Sequence, residues 1–430
     1  MQNDTDVQMR KRNMKLFPTY KKLAWDYLFY YSIDFLFLTQ IKNLSAADVV
    51  LANSIKYLFG IFIQIPANII LEFLGRKNSI ILGNILNCFY LLMFMMTGNL
   101  FDLILAKFIS SLAVSIKEIS EPGLLNASIP PSRHKSDIFA KINAKGASGF
   151  YILSAISKII GGFLFEINGY IPMILCLIIL IIVSIMSMLY IEPIKKKNNK
   201  SNKTNMVKKQ IKDVRDGFEF ILKSERLKAL MLSASLIASF LSILINYRTS
   251  LLNDIGISAY IISFIAASYS VSSALGAKKQ DEFNKKFNNK SIMVMALTLS
   301  LSIIIAGVLG LKTKQFPIFT IFIILLFLIG KYVHGIFYTI MDRYFRNFTS
   351  KDIDTKIFAV KNLFINLVSA IIGIMASFLL NKMSTAYCMI IIGIIFTIMY
   401  ILMGKYMKLR VGLKPEEYSK QERKYDELEI

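Results

Sequence analysis

The sequence predicts an all-α polytopic membrane protein with twelve transmembrane helices, arranged as two six-helix bundles related by a pseudo-twofold axis. The first observation is composition: 55% of the 430 residues are apolar and 18% are charged, an apolar share above that of ordinary soluble domains. The second is spacing, because the charges are confined to short segments between apolar runs of about 20 residues, the length that a helix needs to cross the hydrocarbon. The third is a repeat between the two halves of the chain.

The apolar runs give the bounds of the predicted helices. They lie at residues 23–41, 48–71, 78–98, 101–122, 137–165, 170–191, 227–248, 257–277, 291–311, 317–342, 355–380 and 384–406. Each run is long enough for one helical crossing of the membrane.

Positive charge alternates between the connections, and this pattern predicts the orientation of the chain. The connections after even-numbered runs are rich in lysine and arginine, as at Arg76 and Lys77 and in the segment 195–200, whereas those after odd-numbered runs hold few positive residues. Positively charged loops stay on the cytoplasmic side during insertion. Both termini are therefore predicted to be cytoplasmic.

The longest connection separates the sixth run from the seventh and predicts the domain organisation. It opens with the basic sequence KKKNNKSNKTN and continues with apolar residues at helical spacing, which is typical of an amphipathic helix at a membrane surface. The predicted parts are an N-terminal six-helix bundle at 1–191, a basic cytoplasmic linker with an amphipathic helix at 192–226, a C-terminal six-helix bundle at 227–406 and a charged cytoplasmic tail at 407–430.

The repeat links the fifth run of each half. IFAKINA at 138–144 aligns with IFAVKNL at 357–363, and each segment follows an aspartate closely. Parallel repeats of this kind build many secondary transporters, which bind substrate between the halves near the middle of the bilayer.

Composition and motif searches argue against several other classes. The formal charge of +23 lies mainly in short loops, so it is explained by membrane topology and no nucleic-acid partner is expected. Cys88, Cys176 and Cys388 lack the paired spacing of metal sites, and no phosphate-binding Walker motif occurs. The sequence predicts no metal, no cofactor and no catalytic residue, and thus not an enzyme.

Polar side chains follow single stripes on helices 1, 4, 7 and 10, such as Asp26, Tyr30 and Asp34 on helix 1. This pattern predicts that the four helices line a central aqueous cavity. Helices 3, 6, 9 and 12 hold no charge in their central parts and are predicted to face lipid. The candidates for the substrate cavity are Tyr30, Lys107, Lys117, Ser239, Ser242, Asn246, Arg248, Lys331, His334 and Tyr338.

Three carboxylates are candidates for proton coupling: Asp34, Glu118 and Glu121. Asp34 is the first choice, because it lies deep in helix 1 and its short side chain cannot easily reach the interface. An alternative stays open for Glu121, which could simply pair with Lys117 one helical turn away. His334 could likewise be a hydrogen-bonded packing residue.

The segment QIPANIILEFLGRKNSIILGNI at residues 64–85 resembles the signature between helices 2 and 3 of the major facilitator superfamily. Gly75, Arg76 and Lys77 match that signature, Glu72 replaces its aspartate, and Asn68 stands where the family has a glycine. The resemblance implies a cytoplasmic gate, in which Glu72 interacts with the amino-terminal end of helix 11 and Arg76 with nearby carboxylates. The alternative is that Arg76 and Lys77 only hold the loop in the cytoplasm.

The resemblance implies a monomeric secondary active transporter in the cytoplasmic membrane of a bacterium. Its expected partners are the lipid bilayer, a small-molecule substrate and a coupling ion such as a proton. The helix 2 segment, with its Gln64-Ile65-Pro66 start, is similar to that of bacterial efflux members and favours proton-coupled efflux of an amphipathic or drug-like compound. Ion-coupled uptake of a small organic ion or nutrient is the alternative, and a channel or membrane sensor is the alternative from another class.

Overall fold

A computed structural model describes residues 2–130, 135–192, 203–287, 290–347 and 354–410. The regular structure in these ranges is helical. The helices are α1 (Gln2–Ala24), α2 (Asp34–Leu36), α3 (Ala46–Met96), α4 (Leu100–Ser128), α5 (Lys135–Ile167), α6 (Ile171–Met188), α7 (Lys203–Lys223), α8 (Glu225–Asp254), α9 (Ala259–Lys278), α10 (Gln280–Phe287), α11 (Ser291–Lys312), α12 (Phe319–Asn347), α13 (Asp354–Leu380) and α14 (Thr385–Arg410), with a π-helical turn at Phe37–Ile41.

The prediction of an all-α, multi-pass membrane protein is confirmed. Within the described ranges, nine helices are long and apolar enough to cross a membrane: α3, α5, α6, α8, α9, α11, α12, α13 and α14. One of them, α3, has 51 residues, about 75 Å at 1.5 Å per residue, which is more than two hydrocarbon thicknesses. Gly75 interrupts it with φ 78° and ψ 173°. The two parts of α3 correspond to the predicted second and third transmembrane helices.

Helix 4 of the prediction is α4, whose 29 residues begin after the capping residue Asn99. The side chain of Asn99 accepts a hydrogen bond from the main-chain N–H of Asp102 at 3.0 Å, which satisfies one of the free donors at the helix start. Several charged side chains lie along α4, among them Lys107, Lys117 and Glu121, and these three are buried. The helix is therefore long enough to span the membrane but carries charges that face the protein interior.

The prediction of one continuous helix over residues 23–41 is wrong. The first helix ends at Ala24, residues 25–33 form turns and bends, and α2 and the π-helical turn follow. Phe29 has a φ of 63°, a conformation that bulky residues rarely adopt. Asp26, Tyr30 and Asp34 therefore do not form the helical stripe that their spacing predicts. We call residues 25–33 the helix 1 break.

The described chain divides into two compact units. Unit 1 comprises residues 1–202 and 258–267, and unit 2 comprises residues 203–257 and 268–430. In unit 1, α3 packs against α4 and α6, and α1 packs against α5. In unit 2, α8 packs against α13 and α14, and α11 packs against α12 and α14.

The central linker contributes α7 to unit 2. This helix packs against α8 and α13, and Phe220 and Ile221 near its end are buried, whereas Arg215 is exposed. Residues 193–202 of the predicted linker and residues 411–430 of the predicted tail lie outside the described ranges. The division into four predicted parts stays a prediction.

Candidate functional site

Tyrosine side chains tie the helix 1 break to α3. The Tyr27 hydroxyl donates a hydrogen bond to Oδ1 of Asn87 at 2.7 Å, and the hydroxyls of Tyr30 and Tyr90 are hydrogen-bonded at 2.5 Å. Tyr27, Tyr30 and Tyr90 are all buried. Side-chain contacts with a helix about 60 residues further along the chain thus hold this segment in place, and they give its buried hydroxyls the partners that buried polar groups need.

Aromatic rings surround these hydroxyls and form what we call the tyrosine cluster: Tyr27, Tyr30, Tyr31, Tyr90 and Phe94. The ring centroids of Tyr30 and Tyr31 are 5.1 Å apart, and those of Tyr30 and Phe94 are 5.2 Å apart. These distances lie in the range of favourable aromatic pairs. Tyr31 stands apart from the others because its side chain is 43% exposed.

Asp26 organises the start of the helix 1 break. Its Oδ1 accepts hydrogen bonds from the main-chain N–H of Tyr27 at 2.9 Å and from the Tyr31 hydroxyl at 2.6 Å. A short carboxylate that bonds to its own neighbouring backbone competes with helix formation. This local bonding helps to explain why the helix stops after Ala24.

Asp34, the residue directly after the helix 1 break, interacts electrostatically with Lys107. The partly buried Asp34 is the first residue of α2, and its charge interacts with that of Lys107 on α4 and that of Lys56 on α3. Lys107 is only 4% exposed, and its Nζ lies 5.6 Å from the ring centroid of Phe94 and 6.0 Å from that of Tyr90. The structure thus brings together three sequence-predicted residues, Tyr30, Asp34 and Lys107.

The other polar residues of α4 have different surroundings. Lys117 and Glu121 form an ion pair of 3.5 Å on the same helix, and the Glu121 carboxylate also accepts a hydrogen bond from the buried Tyr20 hydroxyl at 2.8 Å. Glu118 is exposed and interacts electrostatically with Lys56. Lys117 and Glu121 therefore make the intrahelical pair that the sequence left open.

The serines of α8 bond within unit 2. The Ser239 hydroxyl donates to the carbonyl of Ser235 at 2.6 Å and accepts from the Ser369 hydroxyl of α13 at 3.1 Å. The Ser242 hydroxyl donates to the carbonyl of Ser239 at 2.7 Å. Asn246, one turn further along, is partly buried.

Arg248 lies at the centre of a second polar group. Its side chain is 1% exposed, and its guanidinium carbon lies 5.8 Å from the ring centroids of both Tyr269 and Phe327. Gly330 leaves room for it, because a Cβ atom there would lie 2.9 Å from Nη2 of Arg248. Sequence analysis predicted Arg248 but not Tyr269 or Phe327, which occupy ordinary apolar runs.

His334 of α12 packs against α9. Nδ1 of His334 is 3.3 Å from the Ser273 hydroxyl, and the rings of His334 and Tyr338 are 4.9 Å apart. Lys331 and Arg248 both act electrostatically on His334. Tyr338 is 44% exposed. Arg248, Lys331 and His334 thus belong to one positively charged region of unit 2.

The segment that carries the gate signature is bent at Gly75. Asn68 donates to the carbonyl of Gln64 on its own helix at 3.0 Å, and Glu72 is exposed. Arg76 packs beside α4, since a Cβ atom at Gly123 would lie 3.5 Å from its Nε. The main-chain N–H of Lys77 donates to Oε2 of Glu192 at 2.6 Å. The gate function of this segment stays a prediction.

Glu192 is a residue that the sequence analysis missed. Its carboxylate bonds to the backbone just after Gly75 and lies 3.5 Å from the position of a Cβ atom there. A carboxylate at the start of a helical segment is stabilised by the free N–H groups and the helix dipole. The signal in the sequence was a single acidic residue at the end of an uncharged apolar run.

Six of the sequence-predicted residues therefore fall into two groups, one in each unit. Tyr30, Asp34 and Lys107 gather in unit 1, and Arg248, Lys331 and His334 gather in unit 2. Among the side chains that the structure describes, no three His, Cys, Asp or Glu residues gather in an arrangement that could hold a metal ion. The single cavity that helices 1, 4, 7 and 10 are predicted to line stays a prediction.

Comparison with known proteins supports a transporter fold. The profile of the Major Facilitator Superfamily matches residues 26–330 and 249–427. The crystal structure of the nucleoside transporter NupG superimposes with a TM-score of 0.66 at 16% sequence identity, covering 94% of this chain and 100% of that one. No curated protein sequence matches this chain.

Two further solved structures have the same fold. A bacterial homologue of the human lysosomal transporter Spinster, in an inward-facing and unoccupied conformation, gives a TM-score of 0.62 at 14% identity, covering 94% of this chain and 97% of that one. A POT family transporter in complex with 5-aminolevulinic acid gives 0.62 at 14% identity, covering 92% and 94%.

Proposed function

The chain belongs to the major facilitator superfamily, and on that premise we propose that it is a secondary active transporter, which carries a small solute across the membrane by alternating access. We propose further that transport is coupled to protons and that Asp34 is the coupling residue. The observation that carries this proposal is the electrostatic interaction of Asp34 with Lys107 and Lys56 directly after the helix 1 break.

The charges around Asp34 come from two neighbouring helices. Lys107 lies on α4 and Lys56 on α3, and both interact with the Asp34 carboxylate. The hydroxyls of Tyr30 and Tyr90 also lie in this region and bond to each other. Protonation of Asp34 would remove the negative charge that attracts these two lysines. A single proton therefore changes the interactions among Asp34, Lys107 and Lys56.

The change of charge at Asp34 acts on the neighbouring helix 1 break. Residues 25–33 lack a continuous ladder of helical hydrogen bonds, so they can change conformation without breaking a helix. Discontinuous helices form the binding and coupling sites of several transporter folds. We infer that proton binding at Asp34 alters the helix 1 break and, through the tyrosine cluster, α3.

Asp34 suits this role better than Glu118 or Glu121. Glu121 is engaged by both Lys117 and Tyr20, and Glu118 is exposed. Losing a proton at Asp34 instead restores an attraction to Lys107, so the two protonation states of Asp34 differ in how strongly these groups interact. Glu72 and Arg76 would then stabilise one state, as the family resemblance implies.

For the direction we propose efflux of an amphipathic compound, on the resemblance of the helix 2 segment that starts at Gln64. The opposite direction, uptake of a small organic ion, is the competing outcome of the same experiment. The proposed location is the cytoplasmic membrane of a bacterium, with both termini in the cytoplasm, as the distribution of Lys and Arg predicts.

The test is substrate-induced proton movement in proteoliposomes that contain a pH-sensitive dye. The purified protein is compared with Asp34→Asn over a panel of amphipathic cations, zwitterions and organic acids. Asp102→Asn is the matched control, since Asp102 lies on the same helix as Lys107 but near its start, where its carboxylate accepts from the N–H of Gly98 at 3.0 Å.

We expect substrate-dependent proton flux in the native protein and in Asp102→Asn, and at least a 10-fold loss in Asp34→Asn. Substrate flux that needs no proton gradient in either protein would identify a uniporter or channel and overturn the coupling. Equal proton flux in Asp34→Asn and the native protein would remove Asp34 from the mechanism. The sign of proton movement relative to substrate distinguishes efflux from uptake.

A further inference from the structure

The guanidinium of Arg248 is buried without a hydrogen-bond acceptor among the residues that the structure describes. None of Nε, Nη1 and Nη2 has a partner, and each is inaccessible to solvent. The hydroxyl of Tyr269, whose ring lies 5.8 Å from the guanidinium carbon, is likewise buried and without a partner. Two polar side chains from different helices thus meet with their hydrogen-bonding capacity unused.

Such an arrangement is costly for a folded protein. A guanidinium has five N–H donors and stays charged in proteins, and a buried charge without a partner lowers the stability of the folded protein. Contacts with the faces of Tyr269 and Phe327 offset a part of this cost. They supply no acceptor for the N–H groups, however, so a group from outside the described chain is needed to satisfy them.

The positive charges around Arg248 favour an anion as that group. Lys331 and Arg248 both act on His334 with the same positive sign, and the Arg248 side chain forms no ion pair with any carboxylate in the described ranges. The planar fork of a guanidinium matches a carboxylate or phosphate with two parallel hydrogen bonds. The Tyr269 hydroxyl can donate a third.

The walls of this site are apolar. Phe327 and Tyr269 flank the guanidinium, and Leu299 lies 3.8 Å from the position of a Cβ atom at Gly330. Apolar walls around one fixed polar anchor are typical of sites for small organic molecules. A substrate that fits them has an anionic end and an apolar or aromatic body.

We infer that Arg248 is the anchor of a substrate site for amphipathic organic anions, in which the carboxylate or phosphate of the substrate bonds to the guanidinium and to the Tyr269 hydroxyl. This inference rests on the proposed transport function and specifies its substrate class. Gly330 is part of the same site, because it leaves the space that the guanidinium occupies.

The test is ligand-dependent thermal stabilisation of the purified full-length protein in detergent. The probes are 3-phenylpropionate, its uncharged analogue 3-phenylpropionamide, phenyl phosphate and inorganic phosphate. The variants are Arg248→Gln, Arg248→Met and Gly330→Ala, with Arg226→Gln as the control on the same helix. The two phenyl anions distinguish a carboxylate-bearing substrate from a phosphate-bearing one, whose charge at pH 7 is about −1.5 to −2.

We expect a phenyl anion, but not the amide, to stabilise the native protein and Arg226→Gln, with apparent affinity roughly 10- to 100-fold weaker in Arg248→Gln, as expected for lost hydrogen bonds to a charged group. Gly330→Ala should weaken anion binding as well, because its methyl group displaces the guanidinium. Equal effects of the anion and the amide, or anion stabilisation that survives in Arg248→Gln, would overturn the anchor. Inorganic phosphate acting as strongly as the phenyl anions would overturn the role of the aromatic walls.

Arg248→Met separates a binding role from a structural one without any ligand. A residue retained for binding is costly to the empty protein, so Arg248→Met should raise its melting temperature, whereas a fall would indicate a structural role and overturn the inference.

Anion binding lost in Arg248→Gln without any transport in proteoliposomes would leave the anchor in place and refute the transport function. Transport of organic anions that is unchanged in Arg248→Gln would refute the anchor alone.

Discussion

The ammonium group of Lys117 donates a hydrogen bond to the main-chain carbonyl of Ala24 across 2.9 Å, at the residue where α1 ends. The last carbonyls of a helix have no partner within the helix, and positive charge is favourable there. The same ammonium lies 3.5 Å from Glu121, which also accepts from Tyr20. Lys117 therefore holds the end of α1 against α4 at the edge of the helix 1 break.

The first prediction concerns this contact. Lys117→Met should lower the free energy of unfolding by about 3 to 5 kcal/mol, because it leaves the Glu121 carboxylate buried without its charge partner. The measurement is equilibrium unfolding in mixed detergent micelles. The control is Lys145→Met at an exposed position on α5, for which we expect a change of less than about 0.5 kcal/mol.

The double variant Lys117→Met with Glu121→Gln tests the assigned cause. Removing both charges relieves the buried carboxylate, so the double variant should be more stable than Lys117→Met alone. A double variant as unstable as the sum of the two single variants would show that the ion pair contributes nothing, and only the bond to Ala24 would then account for the loss.

The second prediction concerns the bend in α3. Gly75 adopts φ 78° and ψ 173°, a backbone region that is nearly restricted to glycine. Gly75→Ala should therefore destabilise the protein by about 1 to 3 kcal/mol. Gly98→Ala is the matched control, since its nearest contact would be Oδ2 of Asp102 at 3.6 Å, an ordinary van der Waals distance. Equal stability of the two variants in a thermal melt would mean that the bend imposes no strain.

Much of this fold could be predicted because hydrocarbon thickness fixes the length of a transmembrane helix. The break after Ala24 could not, since residues 25–33 are as apolar as an ordinary helix. That break depends on the hydroxyls of Tyr27 and Tyr30 reaching Asn87 and Tyr90, contacts that no local pattern encodes. The lack of a hydrogen-bond acceptor for Arg248 among the described residues could not be predicted either. It depends on which side chains three separate helices bring next to the guanidinium.

The third prediction concerns the close approach of α9 and α12. A Cβ atom at Gly335 would lie 1.9 Å from the carbonyl oxygen of Ser273, so Gly335→Ala must separate the two helices and move Ser273 away from His334. We expect a loss of about 1 to 3 kcal/mol, as for other overpacked sites. Gly310→Ala in the same unit is the control, because its methyl group would meet the flexible side-chain end of Leu251 at 3.0 Å and the Cβ atom of Ala386 at an ordinary 3.5 Å. Thermal unfolding of the two variants would reveal no difference if α9 and α12 could move apart freely.

The last prediction treats Asp34 and Lys107 as an interacting pair. Asp34→Asn removes a negative charge that stabilises the ammonium of Lys107, which is 4% exposed. Lys107→Met removes a positive charge that stabilises the Asp34 carboxylate. Each single variant should therefore be less stable than the native protein, whereas the double variant should recover about 0.5 to 3 kcal/mol relative to the sum of the two losses. The measurement is a double-mutant cycle by unfolding in mixed micelles, with proton flux recorded for each variant. The double variant has no group to protonate at residue 34, so we expect it to be folded but to show no proton flux. Stability losses that simply add would show that the two charges act independently.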